Sequence, residues 1–280
     1  MTATDRWRRE LEAWRIPDEL LAASPDSPYS WPKELWKRRA ERALDAERTS
    51  PTLEAVKSLG GSKGSVLAVG AGTGRASLPL VRDGYRVTMV EPNPVMLEGL
   101  SELKGEFEFE VIAGRWPEVA SKVHPHTVGL SAHVIYDVAD IGPFLAALDE
   151  SATSGVVLEV TPTHPWVSLV SLYRELHGLE RPSGPTVDDL VAVIEETIGV
   201  DPVVERWTRP TDLVFETVGD AVEFTARRLV LPRERFDELE KRLLPRVVGR
   251  AGHWQIEPTE RELCTLWWRA NSTEDAFGRE

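Results

Sequence analysis

Apolar positions change their period along this chain. Through residues 1–58 they recur at helical spacing. Trp7, Leu11, Trp14 and Ile16 approximate one stripe, and Leu35 to Val56 predicts further helix interrupted at Pro51. Between them, Ser24-Pro-Asp-Ser-Pro-Tyr-Ser-Trp-Pro32 carries three prolines and predicts an irregular strap. From residue 59 onward, short apolar runs alternate with helical ones. Ser65–Val69, Tyr85–Glu91, Phe107–Ala113, Thr127–Ala132 and Gly155–Thr161 predict strands, with helices over Arg75–Asp83, Pro94–Leu103 and Ile141–Glu150. That rhythm implies a parallel sheet wound by right-handed crossovers.

Beyond residue 162 the elements lengthen. Helices are expected over Trp166–His177, stopped by Gly178, and over Asp188–Ile198. Val203–Arg209 predicts a strand, Thr217–Arg228 and Pro232–Val247 two more helices, and Arg261–Arg269 a last strand. Residues 211–252 thus form a helical insertion between the last two strands, either a lid over a binding cleft or a stabilising cap. The expected organisation is a helical strap over 1–58, a nucleotide-binding core over 59–165, and the rest of the core with its insertion over 166–280.

The most informative stretch is Val66-Leu-Ala-Val-Gly70-Ala-Gly72-Thr-Gly74-Arg-Ala-Ser-Leu-Pro-Leu80. A buried strand runs straight into glycines and then a helix. Glycines permit a tight turn and close approach of backbone to a ligand, and a helix N-terminus offers unpaired N–H groups. Glu91 stands twenty-one positions after Gly70, at the end of the second strand, where an acid can accept both hydroxyls of a ribose. A dinucleotide fingerprint needs G-x-G-x-x-G, but its third glycine falls on Arg75, or on Ser77 in the shifted frame.

What stands instead, G-x-G-x-G with Glu91 in register, resembles motif I of the class I S-adenosylmethionine (SAM)-dependent methyltransferases. The resemblance covers residues 55–165 and the last two strands. It implies an α/β fold: a Rossmann-like seven-stranded mixed sheet whose last strand is antiparallel, with an N-terminal helical strap and the C-terminal helical insertion. It implies SAM as cofactor, with Gly70, Ala71, Gly72, Thr73 and Gly74 facing its methionine part and Glu91, followed by Pro92, holding the ribose. Arg115 and Trp116, after the third strand, would lie along the adenine, and Ser131 would border the methyl-transfer site. The phrases Gly114-Arg-Trp-Pro117 and His133-Val-Ile-Tyr136 also look like a group of actinobacterial-type methyltransferases. Two positions depart from the family pattern. Ala68 replaces an acid that would meet the SAM ammonium, and Arg115 replaces one that would meet the adenine amino group. Each loss would weaken SAM binding by about 1–3 kcal/mol if uncompensated.

Composition narrows the partners. Against 33 Lys+Arg stand 46 Asp+Glu, a net charge of −13, and residues 1–50 hold ten of each sign, so the acid excess lies downstream. Such a field disfavours nucleic acid and leaves a small-molecule acceptor as the expected partner. The single cysteine, Cys264, excludes an intramolecular disulfide and is expected in the core. No run of eighteen apolar residues occurs, so no membrane span is expected, and the charged start Met1-Thr-Ala-Thr-Asp-Arg-Trp-Arg-Arg-Glu10 predicts a cytoplasmic chain.

Methyl transfer asks a protein mainly to align and desolvate a nucleophile, with a base only where the acceptor carries a high-pKa proton. His133, ending the fourth strand, is the first candidate base; Tyr136, in the same loop, and His164, in Thr161-Pro-Thr-His-Pro-Trp166, are the others. Glu159, near the end of an apolar strand, either binds an acceptor ammonium or pairs with an arginine. His124 and His126 lack a third ligand, so they are expected in a solvated loop, with no metal site. Trp31 and Trp36 either line an aromatic pocket or pack. Two other function classes stay open: a non-catalytic SAM- or nucleoside-binding module, motivated by Ala68 and Arg115, and a nicotinamide oxidoreductase, opposed by the missing third glycine.

Overall fold

A computed structural model describes residues 1–23, 27–28, 33–46, 49–250 and 252–270. Most of the Pro-rich strap, with Trp31, and the side chain of Trp36 lie outside the described residues.

Four helices open the chain: α1 (Ala3–Glu12), α2 (Asp18–Ala23), α3 (Lys33–Ala46) and α4 (Pro51–Gly60). The break expected at Pro51 is present: α3 ends at Ala46, and Pro51 starts α4 behind the Ser50 cap, where its missing N–H is not needed. The core follows as β1 (Ser65–Val69), α5 (Leu78–Arg82), β2 (Arg86–Glu91), α6 (Pro94–Leu103), β3 (Glu110–Ala113), β4 (His126–Ala132), α7 (Ile141–Glu150) and β5 (Ala152–Val160). Then come α8 (Val170–His177), α9 (Val187–Ile198), β6 (Val203–Pro210), α10 (Val218–Leu229), α11 (Phe236–Leu243), β7 (Val247–Arg250), β8 (His253–Ile256) and β9 (Glu260–Arg269).

Seven strands form one sheet in the order β3-β2-β1-β4-β5-β9-β6. The first five run parallel, and β9 is antiparallel to both β5 and β6. Val66 to Val69 are buried on both faces, as a central parallel strand requires. Helices α1, α7 and α9 cover one face, packing Trp7, Ile141, Phe144, Val193 and Ile194 onto Leu67, Val156 and Leu266. The other face receives Leu53, Val56, Leu78 and Leu100 from α4, α5 and α6.

α1 and the turn that follows it are held at three points. The Glu196 carboxylate of α9 accepts the Ala3 and Thr4 N–H groups, the indole of Trp7 donates to Val138 O at 2.9 Å, and the indole of Trp14 donates to Gly184 O. The first strand–helix turn is longer than the apolar pattern predicts. Ser77 N and Leu78 N both donate to Gly74 O, so α5 begins only at Leu78. With five residues it offers no helix N-terminus of consequence to an anion.

The insertion carries a small core of its own: Leu172, Tyr173 and Leu176 of α8 against Val222, Ala226, Leu229, Leu239 and Leu243. It is not wholly helical. α11 stops at Leu243, and the chain turns into the β7–β8 hairpin, where a continuous helix to Val247 is expected from sequence. Within β9, Trp268 is buried and donates to Asp149 Oδ1, whereas Trp267 packs on the sheet's other face. Cys264 is a buried free thiol.

Candidate functional site

A cleft of about 1580 Å³ lies along the carboxyl edge of the sheet. In open α/β sheets this edge, where the strand order reverses, is where ligands bind; here the reversal falls between β1 and β4. The glycine turn after β1 forms one wall. Gly70 and Ala71 N–H groups both donate to Val90 O, locking the turn against β2. Gly70 and Gly72 adopt φ of 67° and 58°, where side chains other than glycine are strained. A Cβ at Gly70 would strike Val134 at 2.3 Å, while a Cβ at Gly72 would meet no atom within 4 Å. Gly72 therefore faces open cleft.

Glu91, at the end of β2, is 6% exposed and lines the same cleft. Its Oε2 accepts from Gly72 N at 2.8 Å and its Oε1 from Asn93 N at 2.9 Å. Burial pushes its carboxyl up, and these two backbone donors pull it down less strongly. A carboxylate has about four lone-pair positions, so both oxygens can still accept hydroxyls. Ala71, Thr73, Pro92, Arg115 and Trp116 also line the cleft. Trp116 presents only part of its ring: it is buried in the core, and its indole donates to Phe144 O at 3.1 Å. Two expected contacts fail. Gly74 does not line the cleft, because it turns inward where a Cβ would strike Leu78 at 2.7 Å. Ser131 is buried within β4 and also does not line it.

The three candidate bases line the cleft, but none offers it a basic atom. The Tyr136 hydroxyl accepts from Thr161 N and bonds Thr161 Oγ1 at 2.6 Å, and burial raises the phenol to about 12. His164 Nδ1 accepts from Trp166 N at 3.2 Å, so Nε2 carries the ring proton. Its ring stacks on Trp14 at 4.1 Å and 17°, and burial followed by Arg181 lowers it to about 3. His164 is part of an aromatic wall, not a base. His133 takes a left-handed φ of 60°, and its N–H donates to Glu159 O at 2.9 Å. Both ring nitrogens are shielded from solvent without well-formed hydrogen bonds, Nε2 lying 3.0 Å from Glu159 Oε1. Burial, with Arg261 and Arg75 nearby, pushes this imidazole down to about 3 against the opposing pull of Glu159.

Glu159 is structural. It pairs with Arg75, accepts from Thr52 Oγ1 at 2.7 Å, and is 1% exposed. Burial works to raise its carboxyl, and Arg75, His133 and Arg209 together hold it well below the usual carboxylate range. His126 is not in a solvated loop either: it opens β4, is buried, and its Nε2 lies 2.8 Å from Thr88 Oγ1. No cluster able to hold a metal occurs among the described residues.

Sequence reasoning passed over three cleft residues. Trp14 forms the wall on which His164 stacks. Asp137 lines the cleft with its carboxyl raised by desolvation and lowered by Arg115. Arg261, the second residue of β9, lines the far end of the cleft. Trp14 and Asp137 belong to segments read for other features, and nothing local in the sequence marks Arg261.

No protein-family model matches the chain, and no curated protein is similar to it. Solved structures are similar in fold. A protein described as a methyltransferase of Bacillus halodurans aligns over 80% of this chain and 100% of its own, with 12% identity and a TM-score of 0.50. A protein of Galdieria sulphuraria described as a sarcosine dimethylglycine methyltransferase aligns over 90% of this chain and 96% of its own, with 13% identity and a TM-score of 0.50. A third, described under the conversion of a disulfide bond into a thioacetal group during echinomycin biosynthesis, aligns over 81% of this chain and 84% of its own, with 12% identity and a TM-score of 0.52. The chain has the fold of the class I SAM-dependent methyltransferases.

Proposed function

We propose that this protein is an enzyme that transfers a methyl group from SAM to a small-molecule acceptor. The observation that carries the reading is the Glu91 carboxylate, fixed by the Gly72 and Asn93 N–H groups at the edge of the open cleft. That arrangement fits a nucleoside: two oxygens with lone pairs to spare beside a backbone that no side chain covers. When bound, SAM supplies an electrophilic methyl carbon on sulfonium sulfur. Gly70 and Gly72 let the backbone approach its amino-acid part, and Glu91 accepts the ribose hydroxyls. Asp137 supplies an acid to the cleft, while β1 offers none at Ala68.

Trp14, His164 and Trp166 wall the cleft with aromatic surface and exclude water. Because Tyr136, His133 and His164 present no free basic atom, the acceptor that suits the cleft has a nucleophile already unprotonated at neutral pH, as a carboxylate does. Enclosure by α8, α10 and the hairpin, with the acidic net charge, favours a small acceptor over a nucleic acid. Among the described residues no helix is long and apolar enough to cross a membrane.

The test is tryptophan-fluorescence titration with S-adenosylhomocysteine on the parent and on Gly72→Asn. Asparagine tolerates a left-handed φ, so the turn survives while its side chain fills the cleft. Binding lost in that variant with the fold intact supports the reading; unchanged binding removes the glycine turn from it. The departures at Ala68 and Arg115 favour one second reading, a module that binds SAM or a nucleoside without turnover.

A further inference from the structure

At the far end of the cleft, two arginines face each other across neighbouring strands. Arg209 of β6 and Arg261 of β9 are register partners in an antiparallel pair. Side chains directly opposite one another in such a pair project to the same face, and like charges there are destabilising. Asp212 pairs with Arg209, its Oδ2 lying 3.2 Å from Arg209 Nη1. The neighbouring Arg75 is already matched by Glu159. Arg261 is left over. Among the described residues its guanidinium makes no hydrogen bond and no ion pair, although it is half-buried and lines the cleft. Glu260 and Glu262 flank it in sequence and also line the cleft, but strand alternation turns them from the face that Arg261 shares with Arg209, and neither forms an ion pair with it.

The position gives this unmatched cation a target. β5 ends at Val160, opposite Cys264, so Arg261 projects past the end of the parallel strands. Among the described residues Arg75 and Arg209 each have an ion-pair partner and Arg261 has none. A guanidinium without a partner in a semi-enclosed space is costly unless something anionic completes it.

We propose that the acceptor carries a carboxylate, and that Arg261 receives it at the end of the cleft beside His133 and Tyr136. This names the substrate class of the methyltransferase reading and rests on it. The planar fork of arginine matches a carboxylate bidentately, which fixes the acceptor's orientation as well as its charge. The cofactor's own carboxylate is not the target. Arg261 stands three strands from the glycine turn of β1, ~14 Å at ordinary strand spacing. Burial pushes the guanidinium's pKa down, Asp212 pulls it back up, and Arg209 and Arg75 lower it further.

The test uses calorimetric titration of the S-adenosylhomocysteine-loaded protein with acetate, phenylacetate and indole-3-acetate, each beside its neutral amide. The parent is expected to bind at least one carboxylate in preference to its amide. Arg261→Gln should weaken that binding about tenfold or more, and Arg261→Lys should fall between the two. S-adenosylhomocysteine affinity should be the same in all three proteins. Because Arg261→Gln removes a like-charge contact, its thermal midpoint should hold or rise, whereas loss of a structural arginine would lower it. Absence of carboxylate binding to the parent, equal binding by Arg261→Gln, or loss of S-adenosylhomocysteine binding in that variant would each overturn the proposal. If the parent itself fails to bind S-adenosylhomocysteine, the methyltransferase reading falls, and the carboxylate titration on the unloaded protein still decides the role of Arg261.

Discussion

Glu91 Oε2 accepts the N–H of Gly72 at 2.8 Å, a bond that ties the end of the second strand to the middle of the glycine turn. Loop shape and carboxylate position are therefore one feature. Burial raises this carboxyl, so protonation sets in above the ordinary glutamate range and removes an acceptor that ribose hydroxyls need. S-adenosylhomocysteine affinity should fall with decreasing pH, starting above the ordinary glutamate range, and the fall should be absent from Glu91→Gln, whose binding is already weak. Titrations at a series of pH values check this.

The Arg75–Glu159 pair is nearly dry, with side chains 10% and 2% exposed. Glu159→Gln strands the Arg75 charge and should cost about 3–5 kcal/mol. Arg75→Met with Glu159→Met removes both charges and should cost less than that single change. Urea unfolding of the two variants decides it; a double variant worse than the single would contradict the pairing.

His164 and His133 are both held near 3, below the ordinary 6.5. A histidine lowered in the folded state adds stability that is complete above 6.5 and is lost as pH falls toward 3. At about pH 5 each withdraws up to about 2 kcal/mol. His164→Phe keeps the Trp14 stack but cannot titrate, and it leaves Trp166 N–H without its acceptor. It should therefore be less stable than the parent at neutral pH, and the gap should narrow or reverse near pH 5. Urea midpoints across that range measure it.

Trp7 is 1% exposed and its indole reaches Val138 O, next to Asp137 of the cleft. Trp7→Ala should destabilise by about 3–5 kcal/mol. It should also loosen the loop after β4, seen as faster amide exchange at residues 133–140.

Much of the fold was legible because its signals are local. Val66 to Val69 form a continuous apolar run, Pro94 and Asn93 mark the start of α6, and Gly178 stops α8 in a left-handed conformation. Where local signals are weak, the reading slipped. The four-residue strands Val247–Arg250 and His253–Ile256 are too short for a period to show. α5 lost its first turn because Ser77 N and Leu78 N both close onto Gly74 O. For the site, strand-end spacing located Gly72 and Glu91. Spacing could not show that the Tyr136 hydroxyl is spent on Thr161 or that His164 lies flat on Trp14, since those partners are distant in sequence. Arg261 was invisible for the same reason: its significance comes from Arg209 and Asp212, which only the sheet brings beside it.

The most direct measurement is isothermal titration calorimetry of the parent and Glu91→Ala with S-adenosylhomocysteine, with NADH as the competing ligand class. The account predicts micromolar binding of S-adenosylhomocysteine to the parent, its loss in a folded Glu91→Ala, and no heat from NADH. A folded parent that ignores S-adenosylhomocysteine, or prefers NADH, would contradict it.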